Sequence, residues 1–247
     1  MPKKGRLRVP FSFAILADPT GTNKVASMKK NALNLKFVFS MLALVIACGV
    51  VSASALTPFP EPPANIELTD AQRDTVARGT PVFNKSDGAG GGRAWAVFRV
   101  NAPCDTTWSV ISDLGNYTEY LKGDILESTI YKREGDFIYV KFKLNGRIAG
   151  KFNYSVKHHF PQTGGWGTWV MDAEKSNDLQ SVGFWKVTPA TSTTCDVTYS
   201  TALKIDAWYF GIIKGILVSQ GLETATKWVK KNAEQKYSQN TEKAAPK

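Results

Sequence analysis

Histidine and cysteine are scarce in this chain, with two of the first and three of the second in 247 residues. Neither Cys104 nor Cys195 sits in a Cys-x-x-Cys, which argues against thiol–disulfide catalysis. His158 and His159 are neighbours with no acidic or cysteine companion at metal-ligand spacing, so no zinc site is expected. No Gly-x-Ser-x-Gly elbow and no dinucleotide fingerprint occurs. The glycine-dense DGAGGGR, Asp87–Arg93, lacks the Lys-Ser/Thr of a phosphate cradle and no helix follows it; it reads as a flexible loop. After residue 55 no apolar stretch is long enough to span a bilayer. These motifs point to no catalytic residue, no metal and no cofactor.

What is present begins with Met28–Ala55, MKKNALNLKFVFSMLALVIACGVVSASA. Lys29, Lys30 and Lys36 form a basic stub, Phe37–Val51 an apolar run of fifteen residues, and Ala53-Ser54-Ala55 a small-residue end. That order is a secretory signal peptide. The run is shorter than the ~20 residues of a spanning helix, which ranks an uncleaved anchor second. Val45-Ile46-Ala47-Cys48 also resembles a lipobox, but Gly49-Val50-Val51 stays apolar, so cleavage after Ala55 ranks above lipidation and tethering at Cys48. Residues 1–27 precede this signal without clear pattern and are expected to be a non-native or disordered extension upstream of the start at Met28. Peptides from residues 1–27 in a cellular digest would refute that. The expected location is the periplasm or the exterior.

The formal charge of +10 suggests nucleic acid. Eight of the 31 Lys and Arg and one of the 21 Asp and Glu lie in the first 55 residues, which leaves 23 against 20. A basic footprint that departs with a leader binds no nucleic acid afterwards. The remaining residues suffice for one domain with a sizeable core. In an oxidising compartment, Cys104 and Cys195 read as a bridge or as two buried thiols.

TPFPEPPA, Thr57–Ala64, reads as a stiff proline-rich linker, residues 56–65. Thr69–Arg78 is a short helix with a Thr69/Gln72 capping box, ended by Gly79. Ala94–Asn101 alternates as a strand. Pro103 opens the helix PCDTTWSVISDL, and GNYTEYLKGD is a second small helix or turn. Strands follow at Ile125–Arg133, Phe137–Leu144, Arg147–Phe160, Gly167–Ala173, Gln180–Pro189 and Cys195–Ile205. Asn145-Gly146 and Glu134-Gly135-Asp136 mark hairpins, so the strands run antiparallel. Alternation gives each one apolar and one wet face, as in a sheet covered on one side. A long helix, Trp208–Tyr237, closes the domain, with Leu222, Ala225 and Val229 against Lys227, Lys230 and Lys231. Residues 238–247 read as a loose tail.

The ordered segments VNAPCDTTWSVISDLGNYTEYLKGDILES and VGFWKVTPATSTTCDVTYSTALKID, followed by the terminal helix, resemble the polyketide cyclase/START-like (SRPBCC) superfamily, in particular its coenzyme Q-binding START-like branch. The likeness spans residues 66–237. Thr118 and Lys122 depart from it, standing where that family often has prolines. The resemblance implies an α+β helix-grip fold. A curved seven-stranded antiparallel sheet surrounds a long C-terminal helix, with two small helices after the first strand and an apolar cavity between. It also implies that the first strand lies beside the last, which brings Cys104 near Cys195 as a disulfide.

In that frame the expected ligand-binding residues are Phe98, Val140, Phe142, Phe152, Tyr154, Val156, His158, Trp185, Tyr199, Leu203, Phe210, Ile213 and Leu217. His158 is the most informative, because alternation turns it inward. It reads as a hydrogen-bonding or general-base residue, or as a core histidine bonded to backbone or a tyrosine. Trp166 and Trp169 line the same region or its mouth. Asp113, Glu119 and Asp124 near the small helices read as caps rather than an acid pair. Trp208, Tyr209 and Phe210 are the residues for contact with a membrane surface, should they be exposed. The expected function is non-enzymatic carriage of a hydrophobic small molecule or lipid of isoprenoid or quinone type. The alternative is a cyclase- or dehydratase-type enzyme using the same cavity. Oligomeric state is not encoded legibly.

Overall fold

A computed structural model describes residues 56–88, 91–145, 151–172, 175, 179–205 and 221–244. The signal segment, Phe210, Ile213 and Leu217 lie outside them, as does the side chain of Phe152.

Eight strands form one antiparallel sheet. They are β1 (Val82–Gly88), β2 (Gly91–Val100), β3 (Ile125–Glu134), β4 (Phe137–Asn145), β5 (Lys151–His159), β6 (Trp166–Met171), β7 (Leu179–Pro189) and β8 (Cys195–Ile205). Their order is β1-β2-β8-β7-β6-β5-β4-β3. The first long strand thus lies beside the last, as expected, and all other neighbours are consecutive hairpins. Register shifts in β3 at Ile125/Glu127 and Ile130/Lys132 add local bend and twist, the usual source of curvature.

The strand count is a correction, eight rather than seven. Asp87–Arg93 is not simply a loop. Its ends pair as Gly88↔Gly91 and Asp87↔Gly92, and Val82–Gly88 is an additional edge strand. Lys, Ser, Asp and Gly crowd that strand, so β-propensity alone did not reveal it. Pairing with β2 overrides the propensity.

The helices are α1 (Asp70–Ala77), α2 (Cys104–Ile111), α3 (Tyr117–Tyr120, preceded by a 3-10 turn at Leu114–Asn116) and α4 (Gly221–Ala244). Both halves of the Thr69/Gln72 capping box form, and Gly79 closes α1 at φ +83°. The terminal helix runs to Ala244, beyond the end expected at Tyr237, with its last turns exposed. It lays Leu222, Ala225, Trp228, Val229 and Ala233 against the sheet. Three polar contacts pin it in place. Lys230 Nζ donates to Arg99 O (3.0 Å), Asn101 N–H donates to Glu234 Oε1 (2.9 Å), and Lys236 Nζ donates to Ser109 Oγ (2.9 Å).

Cys104 and Cys195 form a disulfide with Cα atoms 5.0 Å apart. It joins the start of α2 to the start of β8 across 91 residues of sequence, a closure that stabilises by about 4.6 kcal/mol in the chain-entropy picture.

The outer face of the sheet departs from the one-sided expectation. Val97, Val182, Phe184 and Ala202 point away from α4 and are buried. The proline-rich stretch is not merely a linker, because it lies on this face. Phe59 packs edge-on to Phe184 at 4.9 Å between centroids, with the Arg93 guanidinium 4.9 Å from its own centroid. Lys186 Nζ donates to Pro63 O (2.8 Å), and Leu56 N–H donates to Gln180 Oε1 (3.1 Å). Prolines hold the strap extended without offering N–H groups that would need partners.

Candidate functional site

The site is the inner face of β4–β8, turned toward α4. Cross-strand pairing aligns it directly. His158 stands opposite Trp169, Trp169 opposite Gly183, and Trp185 opposite Tyr199. Trp169 stacks on Tyr199 at 5.5 Å, Trp185 meets Tyr199 at 4.4 Å, and Trp185 meets Trp228 of α4 edge-on at 6.1 Å. At the α3 end, Tyr120 stacks on Trp228 at 5.9 Å, and Tyr117 lies between Phe142 and Trp228. Aromatic faces bury large areas with few rotors, so this wall is stiff as well as apolar.

Two glycines make room for it. A Cβ at Gly183 would overlap the Trp169 ring and lie 2.5 Å from the Ser200 carbonyl. A Cβ at Gly167 would overlap the Phe160 ring and lie 3.0 Å from the His159 carbonyl. Glycine inside a strand often marks such an approach, which is the sequence signal that could have located both positions.

Of the expected residues, Phe98, Val140, Phe142, Val156 and Trp185 are buried on the inner face. Tyr154, Tyr199 and Leu203 share that face and remain partly accessible. Burial pushes the Tyr199 hydroxyl up to about 12 and the Tyr154 hydroxyl higher still. Part of each side chain nevertheless keeps accessible surface. Trp228, Tyr117 and Tyr120 belong to the same wall and were not among the expected residues. Trp228 sits between Ala225 and Val229 in the apolar stripe of α4, and that position was its only signal.

His158 is 6% exposed, among Phe160 (5.1 Å), Phe142 (6.3 Å) and Trp169 (6.3 Å). Neither ring nitrogen has a hydrogen-bond partner among the described residues. The expectation of a backbone or tyrosine partner is therefore corrected. Desolvation lowers its pKa to about 3, so the imidazole is neutral across the physiological range. His159 faces the other way. Its Nδ1–H donates to Glu61 Oε2 (2.7 Å), and Thr168 Oγ1 donates to Glu61 Oε1. Trp166 packs on this outer histidine, not in the interior. Asp113 accepts from Tyr120 OH (2.7 Å) and Asn116 Nδ2 (2.9 Å), a structural role. Among the described residues no three His, Cys, Asp or Glu side chains converge as metal ligands, and no helix is long and apolar enough to cross a membrane.

No protein-family model and no curated protein sequence matches this chain. Solved structures match its fold. The Zhui aromatase/cyclase from Streptomyces sp. R1128 is similar at TM-score 0.53 and 11% identity, over 59% of this chain and 94% of that one. A START superfamily protein from Mycobacterium smegmatis is similar at 0.50 and 14%, over 58% and 97%. Human STARD10 is similar at 0.50 and 11%, over 72% and 84%. At such identities the likeness concerns fold alone, and the fold is the α+β START/helix-grip fold. The Cys104–Cys195 disulfide is compatible with an exported protein.

Proposed function

We propose that this chain is an exported, non-enzymatic carrier that holds a hydrophobic small molecule between its sheet and its C-terminal helix. The observation that carries this reading is the accessible surface kept by Tyr154, Tyr199 and Leu203 along an aromatic wall whose Phe142, Trp169, Trp185 and Trp228 are buried. Apolar burial supplies the affinity, about 25 cal/mol per Å² before ordering costs. The sequence resemblance narrows the class to a lipid or isoprenoid quinone. The structural neighbours are an aromatase/cyclase and START proteins, a set that suits either a carrier or an enzyme. His158 tips the balance. It has no carboxylate to orient it among the described residues, and a neutral, strongly desolvated imidazole is a poor proton acceptor.

Native mass spectrometry of the protein purified from an exporting host tests this. A bound lipid-sized mass that organic extraction removes is the expected result. A bare protein that also refuses apolar probes would overturn the carrier reading.

A further inference from the structure

One polar group in the interior stands apart. Among the buried hydroxyls, Thr107 donates to Pro103 O, Ser200 to Ala94 O, Thr201 to Val182 O and Thr226 to Glu223 O. Ser181 Oγ accepts from Trp169 Nε1, and Thr168 donates to Glu61. Among the described residues His158 alone keeps unpartnered buried side-chain atoms, and it keeps two. A buried polar group without a partner costs about 1–3 kcal/mol, so its presence calls for a physical reason. Charge supplies a second clue. Among the described residues no Asp, Glu, Lys or Arg is buried. An anionic headgroup brought to this wall would find no buried countercharge among the described residues and would lose its hydration.

Resting on the carrier reading, we propose that His158 anchors an uncharged ligand through a carbonyl or hydroxyl oxygen, and that the site rejects carboxylates. The neutral imidazole presents one N–H donor and one acceptor, which suits a carbonyl or a hydroxyl and offers no cation to an anion. The low pKa of His158 is consistent with this, since the ring stays uncharged at working pH. Phe160 separates His158 from the partly exposed Trp108, whose ring it meets at 5.3 Å. A ligand that reaches the imidazole must therefore shift one of the rings that enclose it.

Three probes of matched size test the proposal at pH 7: 2-acetylnaphthalene, 2-ethylnaphthalene and 2-naphthoate. The ketone is expected to bind about fivefold more tightly than the hydrocarbon, the worth of one net hydrogen bond. The carboxylate is expected to bind more weakly than either. In His158→Phe the ketone should fall to the level of the hydrocarbon. Ring-nitrogen NMR of the wild type provides a check that needs no variant of His158. The chain has two histidines, and His159→Gln assigns them. The ketone should move the His158 nitrogens and the hydrocarbon should not. If the hydrocarbon binds but the ketone preference is missing, survives in His158→Phe or leaves the nitrogens unmoved, the anchor is wrong and the carrier stands. The anchor is equally wrong, and the carrier equally intact, if the carboxylate binds as well as the ketone. If none of the three binds, both readings fail.

Discussion

Two adjacent histidines on β5 meet opposite surroundings. His159 points to the outer face, where Phe137 stacks on it at 4.6 Å and Glu61 accepts its Nδ1–H. His158 points to the inner face, where aromatic rings enclose it and no partner answers among the described residues. The period-two pleat of a strand makes them neighbours in sequence and strangers in space. Part of the outer face is core, with Val97, Val182, Phe184 and Ala202 buried. A strap from the N-terminal side covers it, and its buried Thr168 and half-buried His159 both reach one carboxylate. The inner face is more apolar, yet among the described residues it holds both of the buried side-chain atoms that lack a partner.

The largest expected effect tests whether the outer face is core at all. Phe184 is 2% exposed beneath Phe59, and Phe184→Ala should cost about 4 kcal/mol in urea denaturation. A loss below about 1 kcal/mol would reduce the strap to decoration. On the inner face, Gly183→Ala forces a methyl into Trp169 and the Ser200 carbonyl; about 3 kcal/mol should be lost. The same change at Gly115, where a Cβ meets nothing within 4 Å, serves as the control.

Acid sharpens the comparison through His158. Its folded pKa, about 3, lies below the ordinary value of 6.5, so between those values the unfolded chain binds the extra proton. Stability contributed by this group is complete above pH 6.5 and falls as the pH drops. The loss between pH 7 and pH 5 should be about 2 kcal/mol. His158→Phe should flatten that portion of the stability profile, and an unchanged slope would show that the imidazole is not desolvated as described. The smallest effect belongs to the strap's polar end. Glu61→Gln weakens a half-exposed pair with His159 and should cost under about 1 kcal/mol. Crosslinking or hydrogen exchange at residues 56–63 would then show whether the strap still lies on the sheet.

Much of the architecture was legible in the chain. The alternation in Ile138–Leu144 and Tyr154–Phe160 announced their inward faces, and Thr69 with Gln72 announced the start of α1. Strand β1 was hidden because its Asn, Lys, Ser, Asp and Gly argue against β structure. The aromatic site was half legible. Tyr154, Trp185 and Tyr199 follow from alternation. Trp228 depends on how α4 rotates over the sheet, and Gly167 and Gly183 matter only because of the rings across from them.

The local pattern by itself determined which residues alternate, where helices begin and which turns reverse the chain, because these depend on near neighbours and backbone geometry. Tertiary structure decided that a proline-rich segment would cover the outer face, with Glu61 meeting His159 across 98 positions of sequence. It also decided that His158 would find nothing comparable among the described residues. The direction a side chain takes is a local property of its strand, whereas the partner it meets there depends on which distant segment packing brings to the same place.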